Sequence, residues 1–255
     1  MKNSLRGVRN VVVSFALLII LWQAVFSVSH FSEALFPSPT TAFKALLETI
    51  QDGTLVGNIV ASLKRFAIGY SSAVVVAVLL GLVLGVLPRV FQFVNPIVQL
   101  LRPISPMAWA PFIVLWVGIG DAPATVVVFI AAFFPVLLST VSAVVNIDPI
   151  YFKVARNFGV KQPYALWKII FPAAFPQIAN GIHLALGTAW VFLAAGEMNG
   201  VQSGLGYMVV DARNNLRTDV LLAAIITIGA LGLALDGALK FIDKRILKTW
   251  GGGEN

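Results

Sequence analysis

"FAIGYSSAVVVAVLLGLVLGVL", residues 66–87, runs its whole length without a charged side chain. At about 1.5 Å of rise per residue, a helix of this length crosses a hydrocarbon core about 30 Å thick. Gly81 and Gly85 within it are spaced for close approach of a second helix. The rest of the chain is equally apolar: 58% of its 255 residues are hydrophobic and only 11% are charged, with a mean hydropathy of +0.89. Soluble domains carry about 25% charged residues, so this chain cannot give itself a water-compatible surface. It reads as an all-α integral membrane protein. The absence of cysteine excludes disulfides and thiolate chemistry, and the two histidines, His30 and His183, are too far apart to suggest a metal site. The net charge of +7 points to loops held on the cytoplasmic side of a membrane, with no need to invoke nucleic acid.

Six stretches are apolar enough to span: 11–28, 66–87, 103–120, 122–147, 169–196 and 220–239. The first exceeds the roughly 7–15 residues of a signal-peptide core and is followed by no small-residue cleavage site, so it reads as a span. The third is interrupted by Pro106 and Pro111, where kinks are expected. An even number of spans puts both termini on one side. With the N-terminus inside, only Lys44, Lys64, Arg65, Arg213 and Arg217 of the 18 basic residues fall outside. Glu33, Glu48, Asp52, Asp121, Glu197, Asp211 and Asp219 lie outside with them. This bias places both termini in the cytoplasm.

Residues 148–171 then form a cytoplasmic loop between the fourth and fifth spans. Asp148-Pro149 is a helix start, Ile150, Val154 and Phe158 make an apolar stripe, and Gly159 suits a helix end. Gln162-Pro163 starts a second short helix, and Pro172 is expected to bend the chain into the next span. Physical chemistry alone does not choose between an interfacial anchor and a docking element for a cytoplasmic partner.

The residues themselves carry a resemblance. From Lys153 they read K-V-A-R-N-F-G, then, after nine residues, I-I-F-P. This is similar to the E-A-A-x-x-x-G … I-x-L-P signature of permease subunits of ABC importers that work with a binding protein. Ala155, Gly159, Ile169 and Pro172 match, Phe171 replaces Leu conservatively, and Lys153 and Val154 stand where the pattern has Glu and Ala. "FPSP" at 36–39, "LRPISPMAWAPFIVLWVGIG" at 101–120 and "SGLGYMVVDARNNLRTD" at 203–219 resemble the branch importing nitrate, taurine and aliphatic sulfonates. The resemblance implies a type I importer fold in a single transmembrane permease domain over 1–255, in the bacterial inner membrane. It further implies that Lys153, Val154, Ala155, Arg156, Phe158, Gly159, Ile169, Phe171 and Pro172 form the element that couples to a cytoplasmic ABC ATPase.

The chain has no G-x-x-x-x-G-K-[ST] sequence, so ATP and Mg must be bound by that separate ATPase and the chain itself is not an enzyme. An extracytoplasmic substrate-binding protein is implied with it, and a homodimer of the permease is the simplest assembly. Candidates for the translocation path are Ser105, Met107 and Trp109 in the proline-interrupted span, and Thr188, Trp190 and Glu197 in the fifth. Glu197 is expected to be solvated at the interface. His183 is expected to be a neutral imidazole hydrogen-bonded between helices, and Asp236 a helical i,i+4 partner of Lys240. Residues 203–217, with residues 37–58, offer a surface for the binding protein, and Arg213 and Arg217 within them are candidates for steering an anion, against the commoner case of solvated surface arginines. The alternatives are an ATPase-independent channel or secondary transporter, which would favour buried mid-span charges, and a membrane scaffold, which leaves the prolines unexplained.

Overall fold

The computed structural model describes residues 2–29, 32–148, 150, 157 and 164–249. Helices α1 (Lys2–Ser29), α2 (Pro39–Gln51), α3 (Thr54–Val86) and α4 (Pro88–Leu101) are followed by a 3-10 turn, Pro106–Trp109, and α5 (Ala110–Val117). Helices α6 (Asp121–Val145), α7 (Phe171–Glu197), α8 (Leu205–Asn214) and α9 (Thr218–Thr249) complete the described part. Among the described residues there is no strand.

Among the described residues, four helices are long and apolar enough to span a membrane: α3, α6, α9, and α7 extended back to Leu166. A fifth crossing can be made by α4 together with Pro106–Val117, a pair bent by 83°. The apolar part of α1, Val12–Val28, is shorter. At 1.5 Å per residue it reaches about 26 Å, just under the hydrocarbon thickness.

The bundle is organised around the contact of α3 with α6. Gly69, Ala73, Ala77, Gly81 and Gly85 recur every fourth residue and are all buried. Such a row lies along one face of a helix and lets a second backbone come close. A Cβ at Gly81 would meet the Cβ of Thr140 at 2.6 Å, and one at Gly85 would meet that of Val144 at 2.6 Å. Gly69 lies equally close to the carbonyl oxygen of Thr125. Packing of α7 against α6 uses the same device, with Gly181 set against the side chain of Ser139.

Polar atoms tie the remaining helices to this pair. Tyr70 donates its hydroxyl proton to the carbonyl of Ile182 on α7 (2.7 Å), and Trp190 Nε1 donates to the carbonyl of Ile228 on α9 (3.0 Å). Phe66 stacks on Tyr70 and meets Trp190 edge-on at 5.2 Å, which joins α3, α7 and α9 in one apolar cluster.

Three local features differ from the sequence expectation. The prolines break the chain sharply at Ser105, which takes the extended conformation (φ −56°, ψ 132°) that a following proline favours. Pro103 and Pro106 offer no N–H to a helical ladder there. Pro111 makes no kink, because it sits in the first turn of α5, where its missing N–H has no helical partner to lose. Before Pro172 the chain does not bend away. Leu166–Ile170 forms a π turn, in which the Phe171 N–H reaches the carbonyl of Leu166, and α7 continues from it. The wider turn opens the ladder where the proline ring would otherwise press on a carbonyl.

The third difference is length. With 33 residues, α3 reaches about 50 Å, well beyond the apolar stretch that begins at Phe66. Its first three turns carry Asn58, Ser62, Lys64 and Arg65 out past that stretch, to the end of the bundle where α2 and α8 sit.

Candidate functional site

At the α2–α8 end, residues of α6, α7 and the turn before α8 converge on Arg65 of α3. This guanidinium is 2% exposed, and Glu197, the last residue of α7, is 1% exposed. Arg65 Nη1 donates to the Glu197 carboxylate at 2.7 Å and to the Ser203 carbonyl at 2.7 Å. Its Nε and Nη2 both donate to Asp121, the first residue of α6, and Nη2 also reaches the Ser203 hydroxyl. The expectation of a solvated Glu197 is therefore corrected. A charge this deeply buried persists only when paired and hydrogen-bonded.

The same cluster caps α8. A helix start leaves its first N–H groups without helical partners, and Gly204, the residue before α8, has no side chain to supply one. The donors are satisfied from outside. Gly204 N–H goes to Asn58 Oδ1 (2.7 Å), Leu205 N–H to Ser62 Oγ (2.8 Å) and Gly206 N–H to Glu197 (3.0 Å). Ser62 in turn donates to the Glu197 carboxylate (2.8 and 2.9 Å). The negative charge of Glu197 sits at the positive end of the α8 dipole.

This arrangement explains the glycines of "SGLG". Gly204 has φ 103°, and a Cβ there would run into the Glu197 carboxylate, while one at Gly206 would run into the Ala194 carbonyl. Gly204→Ala should destabilise the protein by about 1–3 kcal/mol, through backbone strain and crowding of the ion pair. A melting midpoint in detergent equal to that of the unaltered protein would contradict this role.

Around this end, Arg217 is not a free cation. It donates to Asp219 at 3.0 Å and to Glu48 of α2 at 3.3 Å, and the hydrogen bond it gives to the Asp219 carboxylate raises its pKa above the usual arginine value. Arg213 is exposed and has no ion pair among the described residues. Asp236 and Lys240 pair at 2.6 Å one turn apart. His183 lies between α7 and α9, as its sequence context suggested. Its partner is a carboxylate, with Nδ1 2.8 Å from Asp243 and Nε2 buried without a hydrogen-bond partner among the described residues.

The candidate path residues separate into two groups. Ser105 is exposed at the chain break, and Met107 and Trp109 are half-buried in the 3-10 turn. Thr188 is exposed on a face of α7 that also carries Gln177, Asn180, Leu184 and Val191, spaced three and four residues apart. Trp190 and Glu197 are on the other side, buried within the helix bundle. Of the coupling residues, Ile169, Phe171 and Pro172 lie on the π turn and the start of α7. Lys153, Val154, Ala155, Arg156, Phe158 and Gly159 lie outside the described residues.

Sequence reasoning missed Ser62 and Arg65 as functional groups. Asn58, Ser62 and Arg65 extend the helical row that continues as Gly69, Ala73 and Ala77. Polar groups on the buried row of a helix need partners, and that continuity was the available signal.

Residues 73–248 match the family of binding-protein-dependent transport system inner membrane components. The taurine transport system permease TauC of Escherichia coli K12 is 32% identical over 244 residues, which cover 94% of this chain and 88% of that protein. The nitrate import permease NrtB of Synechocystis is 30% identical over 244 residues, covering 92% and 88%. Among solved structures, the MetNI methionine ABC transporter in an inward-facing conformation matches 77% of this chain and 96% of its own chain. The TM-score is 0.65 and the identity 21%, a likeness of fold.

Proposed function

This chain belongs to the inner membrane components of binding-protein-dependent transport systems and is the non-catalytic permease subunit of an ABC importer; from that premise we propose that it carries a small oxyanion, such as a sulfonate or nitrate, into the cell. The observation that carries the reading is the family match over residues 73–248, joined to near full-length similarity to permeases named for taurine and nitrate. The protein is a multi-pass inner-membrane protein.

Two copies form the path between them, as two-fold closure favours. Both termini and residues 148–171 face the cytoplasm, where the loop sits against an ATPase that binds ATP and Mg. The binding protein docks at the opposite end, on α2 and α8. The path is lined by Ser105, Met107, Trp109 and the Thr188 face of α7, with Trp190 and Glu197 supporting it from within. Supporting this is the polar face of α7: Gln177, Asn180 and Thr188 are exposed on a helix apolar enough to span the membrane. Polar side chains in such a helix face protein or a water-filled cavity, away from lipid.

The test is uptake of radiolabelled taurine, ethanesulfonate and nitrate into vesicles holding the permease, its ATPase and its binding protein. ATP-dependent accumulation of at least one anion is expected, and accumulation unaffected by removing ATP would overturn the reading. Gly159→Val, which disturbs the turn expected between the coupling helices, should lower that uptake at least tenfold with the protein still present in the membrane. Normal uptake by this variant would remove Gly159 from the coupling element.

A further inference from the structure

We infer that the cleft between α4 and the C-terminal third of α6 is an oxyanion subsite centred on Arg102; this deepens the transport reading above and rests on it. Arg102 follows the last residue of α4, and its own N–H closes on the Val98 carbonyl at 2.9 Å. It stands at the 83° bend, with apolar helix on both sides. Its side chain is exposed and forms no ion pair or hydrogen bond among the described residues.

What shares the cleft with it is neutral and polar: Asn95, Gln99, Ser142 and Asn146. Gln99 donates to the Asn95 carbonyl at 3.2 Å, and the Asn95 amide protons have no hydrogen-bond partner among the described residues. Asn146 donates to Ser142 at 3.1 Å, and Gln177, from the polar face of α7, reaches the same hydroxyl at 3.4 Å. The cleft is thus continuous with the α7 face proposed to line the path. Among the described residues, no carboxylate lines it. The acid that follows on the chain, Asp148, holds the Ile150 N–H at 2.8 Å.

A guanidinium beside a span needs a partner, because an unpaired charge there is unfavourable. Here the described surroundings supply amide and hydroxyl donors and, among the described residues, no anion. Arginine offers a planar fork of donors that matches an anion with two or three equivalent oxygens. A sulfonate or nitrate ion fits that chemistry, and a cation does not. Because the cleft lies at the end of α6 that leads to residues 148–163, it holds the ion near the cytoplasmic exit.

The experiment compares unaltered importer, Arg102→Gln, Arg102→Lys and Arg89→Gln in the same vesicle uptake assay. Taurine, ethanesulfonate and nitrate are the probes, and the assembled complex is quantified in each membrane. Arg89 is exposed on α4 and does not line the cleft. Arg102→Gln is expected to lose at least tenfold in uptake while remaining assembled. Arg102→Lys, which keeps the charge and loses the planar fork, should recover uptake only in part, to a level between Arg102→Gln and the unaltered importer, and Arg89→Gln should stay within twofold of the unaltered importer. Uptake by Arg102→Gln at the unaltered rate would overturn the subsite and leave the importer reading intact. Loss of the assembled complex in Arg102→Gln, with Arg102→Lys intact, would overturn it in favour of a structural charge. An unaltered importer that hydrolyses ATP on addition of its binding protein but carries none of the three anions would overturn the oxyanion assignment alone. Absence of that stimulation would remove the importer reading and the subsite with it.

Discussion

Glu197→Ala should be the most damaging single substitution at the α2–α8 end, lowering stability by about 3–5 kcal/mol. It removes the acceptor of three hydrogen bonds, from Arg65, Ser62 and the Gly206 N–H. It also leaves a guanidinium whose side chain is only 3% exposed with one carboxylate in place of two. The remaining one, Asp121, has a side chain 65% exposed and is held in water-like surroundings, so it compensates weakly. Glu197→Gln keeps the shape and one acceptor oxygen, and should lose about 1–3 kcal/mol. Asp121→Asn should lose less than about 1 kcal/mol, since exposed pairs contribute little. Melting midpoints followed by size exclusion in detergent should rank Asp121→Asn above Glu197→Gln above Glu197→Ala. Equal midpoints for Glu197→Ala and Asp121→Asn would show that the buried pair holds nothing together.

The second large effect lies in the small-residue row of α3. Gly81→Leu should destabilise the bundle by about 3 kcal/mol or more, at the upper end of overpacking effects. The first added carbon already stands 2.6 Å from the Thr140 Cβ and 3.1 Å from the Leu137 carbonyl oxygen. Neither can rotate away, because a carbonyl oxygen and a Cβ are fixed by the α6 backbone. The helices must separate, and the row from Gly69 to Gly85 loses its contact together. Gly57→Ala on the same helix is the control. Nothing lies within 4 Å of a Cβ there, and the substitution should stabilise by about 0.4–1 kcal/mol through lost chain entropy. Yield and melting midpoint measure both. A Gly81→Leu protein as stable as Gly57→Ala would exclude close α3–α6 packing.

Hydropathy made the membrane class and the apolar core of α3 legible, since burial in lipid leaves a signal in every residue of a span. Prolines made the break after α4 legible, but not that Ser105 would be its extended residue and Pro111 a benign first-turn proline. That depends on where the helical ladder restarts. Gly81 and Gly85 showed as a packing pair. Gly69, Ala73 and Ala77 passed unnoticed because alanine in an apolar run is ordinary until its spacing is followed. Glu197 was misjudged for a different reason. Its partner Arg65 lies 132 residues away, and no local period connects them. Asp243 beside His183 is the same case. Long-range polar pairs are written in the tertiary structure, and a sequence shows only that each group needs a partner.

Membership of an importer makes one physical demand above the others: a separate ATPase must hold the cytoplasmic face of this chain. Purification of the tagged chain from its own membranes in a gentle detergent, with the accompanying proteins identified by mass, tests this directly. The expected result is recovery of a P-loop ATPase in amounts comparable to the permease, reduced strongly when Arg156 and Phe158 are both replaced by Ala. Recovery of the chain alone, stable and in good yield, would contradict the coupling and return the channel and scaffold readings to consideration.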